Sequence, residues 1–218
     1  EFVHGYRTNP DMDFHTMVAE MAKIPRKQAK VINLGMMYGM GVRKLSEQLD
    51  LTIEEAKDLT AQYHARVPFV KELMEGVTVS VENNRKDGSV RSIGGRKCRF
   101  NQWEPRAFGV HKAMGLEEAQ ATYGPTTSLK RAYTYKALNR LIQASAADMT
   151  KQAMVHVYES GELPLLQVHD ELGCSIRDVE HARHIAKMME EAIPLSVPMK
   201  CDIEIGPSWG EAVELDQT

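Results

Sequence analysis

The 218-residue sequence predicts an α+β fold, mostly helical over residues 1–127, followed over residues 128–218 by a long helix and an antiparallel hairpin. Three observations carry this. Residues 25–41, PRKQAKVINLGMMYGMG, repeat at helical period between a Pro and two Gly stop signals. From Ser128 the spacing stays helical for some thirty residues, through an alanine-rich centre at 144–147 that permits close packing. Two short apolar runs, 165–168 and 172–176, flank His169-Asp170-Glu171, which reads as a strand, an acidic turn and a returning strand.

The totals bound the function. With 43% hydrophobic and 26% charged residues, the chain can bury a sizeable core in one or two domains. A net charge of -3 is not that of a protein that coats nucleic acid nonspecifically, so any DNA contact must be local. Cys98, Cys174 and Cys201 are far apart and never form a CxxC pair, which argues against a disulfide framework or a zinc site. No apolar run is long enough to cross a membrane and the start lacks a signal-peptide pattern, so a soluble intracellular chain is expected. The first residue is Glu1 rather than Met, which fits a processed piece or a partial reading frame.

In chain order, residues 1–10 show no clear periodicity, and Asn9-Pro10 is a turn signal. Asp13-Phe14-His15 opens a helical run to Ala22. In the next helix Arg26, Lys30, Leu34 and Tyr38 recur every four residues. Each such step turns by only about 40°, so they form one slanting stripe from cations to a phenol. Arg26, Lys27 and Lys30 oppose the macrodipole in the first turns, a cost that a bound anion would offset. Helix-start amides with a guanidinium and an ammonium suit a polyphosphate better than a lone carboxylate. The stripe fits equally a solvated basic face with Leu34 and Tyr38 in the core.

Residues 42–49 predict a short helix, Thr52 and Glu55 a capping box that starts another, and Pro68 a break before a third run to about Asn83. Glu54, Glu55, Lys57 and Asp58 read as a solvated face. Segments 89–93 and 96–100 predict a hairpin carrying Arg91, Arg96, Lys97 and Arg99, either a grip on phosphates or ordinary charged edges. Residues 102–127 predict an irregular connection with a short helix near 116–121. On the long helix, Asn139 and Gln143 share a face beside Lys136 and Arg140. Such amides can read groove edges while the cations meet phosphates, and the same pattern serves as a polar stripe on a packed helix. Asp178 can cap a helix to about Ala192. Val197, Met199, Cys201, Ile203 and Ile205 then predict a half-buried strand with Lys200, Asp202 and Glu204 outward. At the acidic turn, hard oxygen ligands suit Mg²⁺ or Mn²⁺, although Asp is also a common turn residue.

The pattern Arg26, Lys30, Tyr38-Gly39 resembles the fingers helix of family A DNA polymerases, the DNA polymerase I class, particularly its phage-type members. LLQVHDEL resembles that family's palm carboxylate motif almost letter for letter, and LNRLIQASAAD resembles its palm helix. Gly95-Arg96 is weakly similar to a Gly-Arg element of the family, and GPSWGEA to the phage-type C-terminus. The resemblance implies a fingers region over 1–127 and a partial palm over 128–218. It implies that Arg26 and Lys30 hold the triphosphate, with Lys30 the proton donor to the leaving pyrophosphate. Tyr38 would pack near the new base pair, and His15 would reach the triphosphate. Leu34 stands where an aromatic is commoner, which bears on sugar discrimination and speed. Asp170 would be a catalytic metal ligand, Glu171 a secondary acidic group and His169 a contact to the primer end. Asn139 and Gln143 would touch the primer–template minor groove, beside Arg140 and Lys136.

The implied reaction is template-directed DNA synthesis: transfer of a nucleotide from a dNTP to a primer 3′-hydroxyl, with release of pyrophosphate and two Mg²⁺. Two-metal transfer needs carboxylates bridging ions about 4 Å apart, whereas Asp170 and Glu171 are adjacent and point to opposite faces of a strand. In the family a second Asp belongs to a DYSxxExR motif shortly before the region where this sequence starts, and no segment here matches it. The resemblance thus implies a partner portion carrying that Asp, and little or no activity for this chain alone. Primer–template DNA and dNTP are the other implied partners, and the host cytoplasm is the implied location for a phage protein. Two alternatives are a noncatalytic nucleotide- or DNA-binding module and a single-subunit RNA polymerase, which normally carries HDS where this chain has HDE.

Overall fold

The computed structural model describes residues 2–9, 11–84, 87–109 and 111–215. Helices α1 (Phe2–Thr8), α2 (Phe14–Ala22), α3 (Arg26–Met37), α4 (Val42–Leu49), α5 (Ile53–Arg66) and α6 (Pro68–Asn83) precede the first strand. The chain continues with β1 (Ser89–Arg91), β2 (Lys97–Arg99), β3 (Trp103–Pro105), α7 (Leu116–Tyr123), β4 (Leu129–Arg131) and a 3₁₀ turn at Thr134–Lys136. It ends with α8 (Ala137–Glu159), β5 (Pro164–Val168), β6 (Glu171–Cys174), α9 (Val179–Glu190), β7 (Glu204–Ile205), a 3₁₀ turn at Trp209–Glu211 and β8 (Val213–Glu214). The fold is α+β, its described strands forming four separate antiparallel pairs. Contacts divide the chain into one unit of residues 13–144 and another of residues 1–12 with 145–218.

Local chemistry sets the helix ends in the first unit. Asp13 caps α2 by accepting from the His15 amide at 2.8 Å. At α5, Thr52 Oγ1 accepts from the Glu55 amide at 3.2 Å while the Glu55 carboxylate accepts from the Thr52 amide at 2.8 Å, closing the capping box. Pro68 opens α6, where its missing N–H costs nothing. Ala29, Ile32 and Met36 of α3 are buried, as are Leu45 of α4 and Ala56, Leu59 and Tyr63 of α5. Val81, Val90, Phe100 and Ala137 form a second buried cluster, against which Val77, Cys98 and Leu141 pack. The last of these contacts fixes the start of α8 on the β1–β2 hairpin.

In the other unit, Ala153 and Val157 of α8 and Ala182, Ile185 and Ala186 of α9 are buried. Asp178 caps α9 through the His181 amide at 2.8 Å. The Glu162 carboxylate lies 2.9 Å from Nε2 of buried His181 and 3.3 Å from the Arg177 guanidinium, bringing α9 beside the segment before β5.

Four sequence expectations change. Residues Phe2–Thr8 form a helix where no periodicity was visible. Its Arg7 donates to the Ser196 carbonyl at 2.7 Å, a contact distant in sequence that orders a segment too short to be helical alone. Met12 N–H donates to the Asn9 carbonyl, consistent with the turn expected there, although Pro10 lies outside the described residues.

The long helix begins at Ala137, not Ser128. Residues Leu129–Arg131 instead form β4 against β3, with Lys130 paired to Glu104 at 3.3 Å. Tyr133 adopts a left-handed φ of 60°, which no helix can continue through. The alanine-rich centre is not closely packed throughout, since Ala146 and Ala147 are exposed.

Segment 197–205 pairs as a strand only at Glu204–Ile205, with β8. The expected alternation survives in burial from residue 201, Cys201, Ile203 and Ile205 being half-buried and Asp202 and Glu204 exposed, but Met199, expected inward, is exposed. Finally, residues 102–127 hold β3 besides the expected short helix. Cys98, Cys174 and Cys201 are half-buried, with no disulfide among the described residues. Burial pushes the Cys201 thiol up to about 11, so it stays protonated at neutral pH.

Candidate functional site

The Arg26-to-Tyr38 stripe lies outside the core. Arg26, Lys27 and Lys30 are exposed, and Leu34 and Tyr38 are 40% and 51% exposed, while Ala29, Ile32, Asn33 and Met36 on the other face are buried. Pro25 occupies the cap position and no side chain caps the helix, so the first-turn amides are left for another acceptor. The exposed cations thus stand at a positive helix end.

Asp13 organises this end. Its carboxylate accepts from Arg26 Nε at 2.6 Å and from Thr16 Oγ1 at 2.9 Å, besides capping α2. The Arg26 guanidinium holds the Asp13 carboxyl well below the usual carboxylate range, against a smaller opposing effect of burial. Arg26 is therefore held in place by an ion pair, whereas Lys30 has no ion pair among the described residues.

Behind them, Asn33 is fully buried. Its amide nitrogen lies 3.1 Å from His15 Nδ1, and its oxygen accepts from the Tyr63 hydroxyl at 2.6 Å. Burial lowers the His15 pKa, Asp13 opposes that, and Lys30 and Arg26 add to it. His15 of one segment and the Arg26–Lys30 stripe of the next thus share one electrostatic neighbourhood. Sequence reasoning missed the supporting Asp13, Asn33 and Tyr63. A polar residue among Ala29, Ile32 and Met36 was the available signal for Asn33.

At the far end of α3, Gly39 adopts φ 70°, and an added Cβ would lie 3.1 Å from the Tyr135 carbonyl oxygen. Glycine thus lets the chain turn directly after Tyr38. An apolar cavity of about 350 Å³ opens there, lined by Met36, Met40, Met74, Val79 and Tyr135 among others.

The expected basic cluster is largely engaged within the unit. Lys97 pairs with Asp87, Arg91 donates to the Gly95 carbonyl at 2.8 Å, and Arg96 to the Ala144 carbonyl at 3.2 Å. Arg140 donates to the Arg99 carbonyl at 3.0 Å and covers the Phe100 ring at 4.5 Å. Lys136 sits over the Tyr133 ring at 5.2 Å and the Tyr135 ring at 5.6 Å. Asn139 is half-buried and Gln143 exposed on the same helix.

In the other unit, β5 and β6 pair with Val168 opposite Glu171, leaving His169-Asp170 as a two-residue tip. His169 adopts φ 53°, a left-handed conformation that His tolerates better than most side chains. The Gln167 amide donates to its carbonyl and closes the turn. His169, Asp170 and Glu171 are all exposed. Glu171 starts the returning strand and does not share the turn. Among the described residues, no group of three or more His, Cys, Asp or Glu side chains is arranged to hold a metal ion.

The family model for DNA polymerase family A matches residues 6–211. The chain belongs to DNA polymerase family A. It is 32% identical to the DNA-directed DNA polymerase of Pseudomonas phage M6 over 97% of this chain and 33% of that protein. It is also 32% identical to the thermostable DNA polymerase I of Thermus aquaticus, over 93% of this chain and 24% of that one. Among solved structures, it resembles the POL domain of Pol1 from M. smegmatis, determined in complex with DNA primer-template and dNTP. That match has a TM-score of 0.68 and 28% identity, covering 91% of this chain and 34% of the other. This family A chain therefore spans a third or less of the length of these relatives. No helix among the described residues is long and apolar enough to cross a membrane.

Proposed function

We propose that this chain is the fingers region (1–127) and later palm (128–218) of a template-directed DNA polymerase. It would transfer a nucleotide from a dNTP to a primer 3′-hydroxyl together with further polymerase chain. The observation that carries the reading is the outward stripe of Arg26, Lys30, Leu34 and Tyr38 on an uncapped helix start, in a member of family A. Core placement of Leu34 and Tyr38 was the competing reading, and their exposure speaks against it.

In this mechanism the α3 amides, Arg26, Lys30 and His15 receive the triphosphate, where charge-assisted bonds are strongest. Arg26, already oriented by Asp13, needs little reorganisation on binding. Lys30 neutralises the pyrophosphate as it leaves and donates a proton to it. Tyr38 and Leu34, further along the stripe, face the base and sugar. Asn139, Gln143, Lys136, Arg140 and His169 contact the primer–template.

The hard oxygens of Asp170 and Glu171 suit Mg²⁺ in type. They do not make a bridging pair, because one lies at the turn and the other in the strand. Asp170 would supply one ligand, with a second Asp from the remaining polymerase chain. When bound there, the metal would polarise the α-phosphate and lower the pKa of the primer hydroxyl. Leu163, Leu165 and Leu166, on or next to this hairpin, are 45–61% exposed, which is consistent with further chain covering it. The reading places the protein in the host cytoplasm, at replication or repair of a phage genome.

The test is Lys30→Ala in the assembled polymerase. Single-nucleotide incorporation should slow by about 100-fold or more, as for loss of a transition-state charge donor. Primer–template affinity should change by less than about threefold, since Lys30 meets the triphosphate. Equal loss of both would contradict the assignment.

A further inference from the structure

Three described elements converge on the His15 imidazole. Asp13 at the start of α2, Arg26 and Lys30 of α3 are the charged groups that act on it, and the Phe14 ring meets it edge-on at 6.0 Å. Asn33 of α3 contacts Nδ1 at 3.1 Å, and Tyr63 of α5 holds Asn33 at 2.6 Å. Both Asn33 and Tyr63 are 0% exposed.

The donor inventory of these groups settles their direction. An amide nitrogen only donates, so the imidazole nitrogen facing it must accept, and the ring proton of a neutral His then resides on Nε2. The amide is held from its other end. Turning it over would leave the buried Tyr63 hydroxyl proton facing an NH₂ group, and an unsatisfied buried donor is costly. Among the described residues, Asn33 Oδ1 is the acceptor for that hydroxyl and no protein group hydrogen-bonds His15 Nε2.

We infer that Tyr63 and Asn33 are positioning residues that fix His15 as the Nε2–H tautomer, ready to donate to a nucleoside triphosphate held by Arg26 and Lys30. The inference rests on the nucleotide-binding reading of α3 and adds to it two buried residues that touch neither nucleotide nor DNA. Burial pushes the Tyr63 phenol up to about 12, so it remains a donor throughout the physiological range. Burial also disfavours the charged imidazole, and the neutral ring has a defined acceptor and donor side. The relay thus adds a third donor beside Arg26 and Lys30 without adding a third fixed charge.

The test uses the chain labelled with ¹⁵N-histidine, with His15 assigned through His15→Gln and read by long-range ¹H–¹⁵N NMR. Wild type should show an unprotonated Nδ1 and a protonated Nε2. Tyr63→Phe should mix the tautomers and weaken binding of inorganic triphosphate by about fivefold, the range of one neutral hydrogen bond. That loss should vanish when His15→Gln is already present. Asn33→Asp keeps the shape but offers only acceptors, so it should reverse the tautomer to Nδ1–H even if Tyr63→Phe does not fold. A wild-type Nδ1–H tautomer, or an Asn33→Asp spectrum unchanged from wild type, would overturn the relay. The expected tautomer with triphosphate shifting neither His15 nor Lys30 signals would instead overturn the nucleotide site, and with it the relay's role in binding.

Discussion

Asp13 shows how a single carboxylate can serve three purposes at once, because its two oxygens accept from a helix-start amide, a hydroxyl and a guanidinium. Its pKa is lowered, so its contribution to stability is present above the ordinary carboxylate value of 3.8 and is lost as pH falls below that. His15 and His64 act with the same sign at higher pH. Burial is the main cause of lowering in both, and His64 Nδ1 is buried without a hydrogen-bond partner among the described residues. The unfolded chain therefore takes up protons first as pH drops through 6.5, and stability falls with it. The urea midpoint should decline between about pH 7 and 5, and His64→Gln should make that decline shallower. An unchanged slope would show that His64 is not buried neutral. Gly39 offers a second residue-scale prediction. Gly39→Ala must accept both a left-handed φ and a 3.1 Å approach to Tyr135, and should destabilise by about 1–3 kcal/mol in urea titration. A neutral result would mean that the turn after Tyr38 relaxes freely.

At the scale of elements, legibility followed the range of the interactions involved. The Thr52–Glu55 capping box, the Asp178 cap and the α3 stop at Gly39 rest on residues within a few positions of each other, and each was readable. Strand β4 was not, because it depends on Arg131. That buried guanidinium stacks on Trp103 at 4.5 Å and donates to the Phe100 carbonyl at 2.7 Å and the Asn84 carbonyl at 3.1 Å. No local pattern announces partners so far away, and helical spacing in 128–136 was overridden by them. The same holds at the site: Arg26, Lys30 and Tyr38 were legible as a periodic stripe, whereas Tyr63 joins them through the fold alone. These ranges predict different costs. Thr52→Ala should destabilise by about 1 kcal/mol, and Arg131→Met by about 2–4 kcal/mol, since it removes one buried and one part-buried bond to backbone carbonyls and a cation–π contact. Equal costs in urea unfolding would show that β3–β4 contributes no more than a helix cap.

At the scale of the molecule, the two proposed halves of the chemistry lie in different contact units. The triphosphate stripe belongs to residues 13–144, and the Asp170 hairpin to the unit containing residues 145–218. The α8 helix runs through the border at 144–145, carrying Asn139 and Gln143 on one side and leading toward β5 on the other. On the proposed reading, a family A protein divided this way would keep its nucleotide helix in one unit while the metal site would need further chain. The net charge of -3 agrees with local rather than general contact to DNA. The most direct test is primer extension with Mg²⁺ and all four deoxynucleotides, using this chain alone and then joined to a family A N-terminal portion that supplies the second Asp. Extension should require the joined protein and should be abolished in it by Asp170→Asn, which removes charge but little volume. Extension by this chain alone, or by the joined protein carrying Asp170→Asn, would contradict the account.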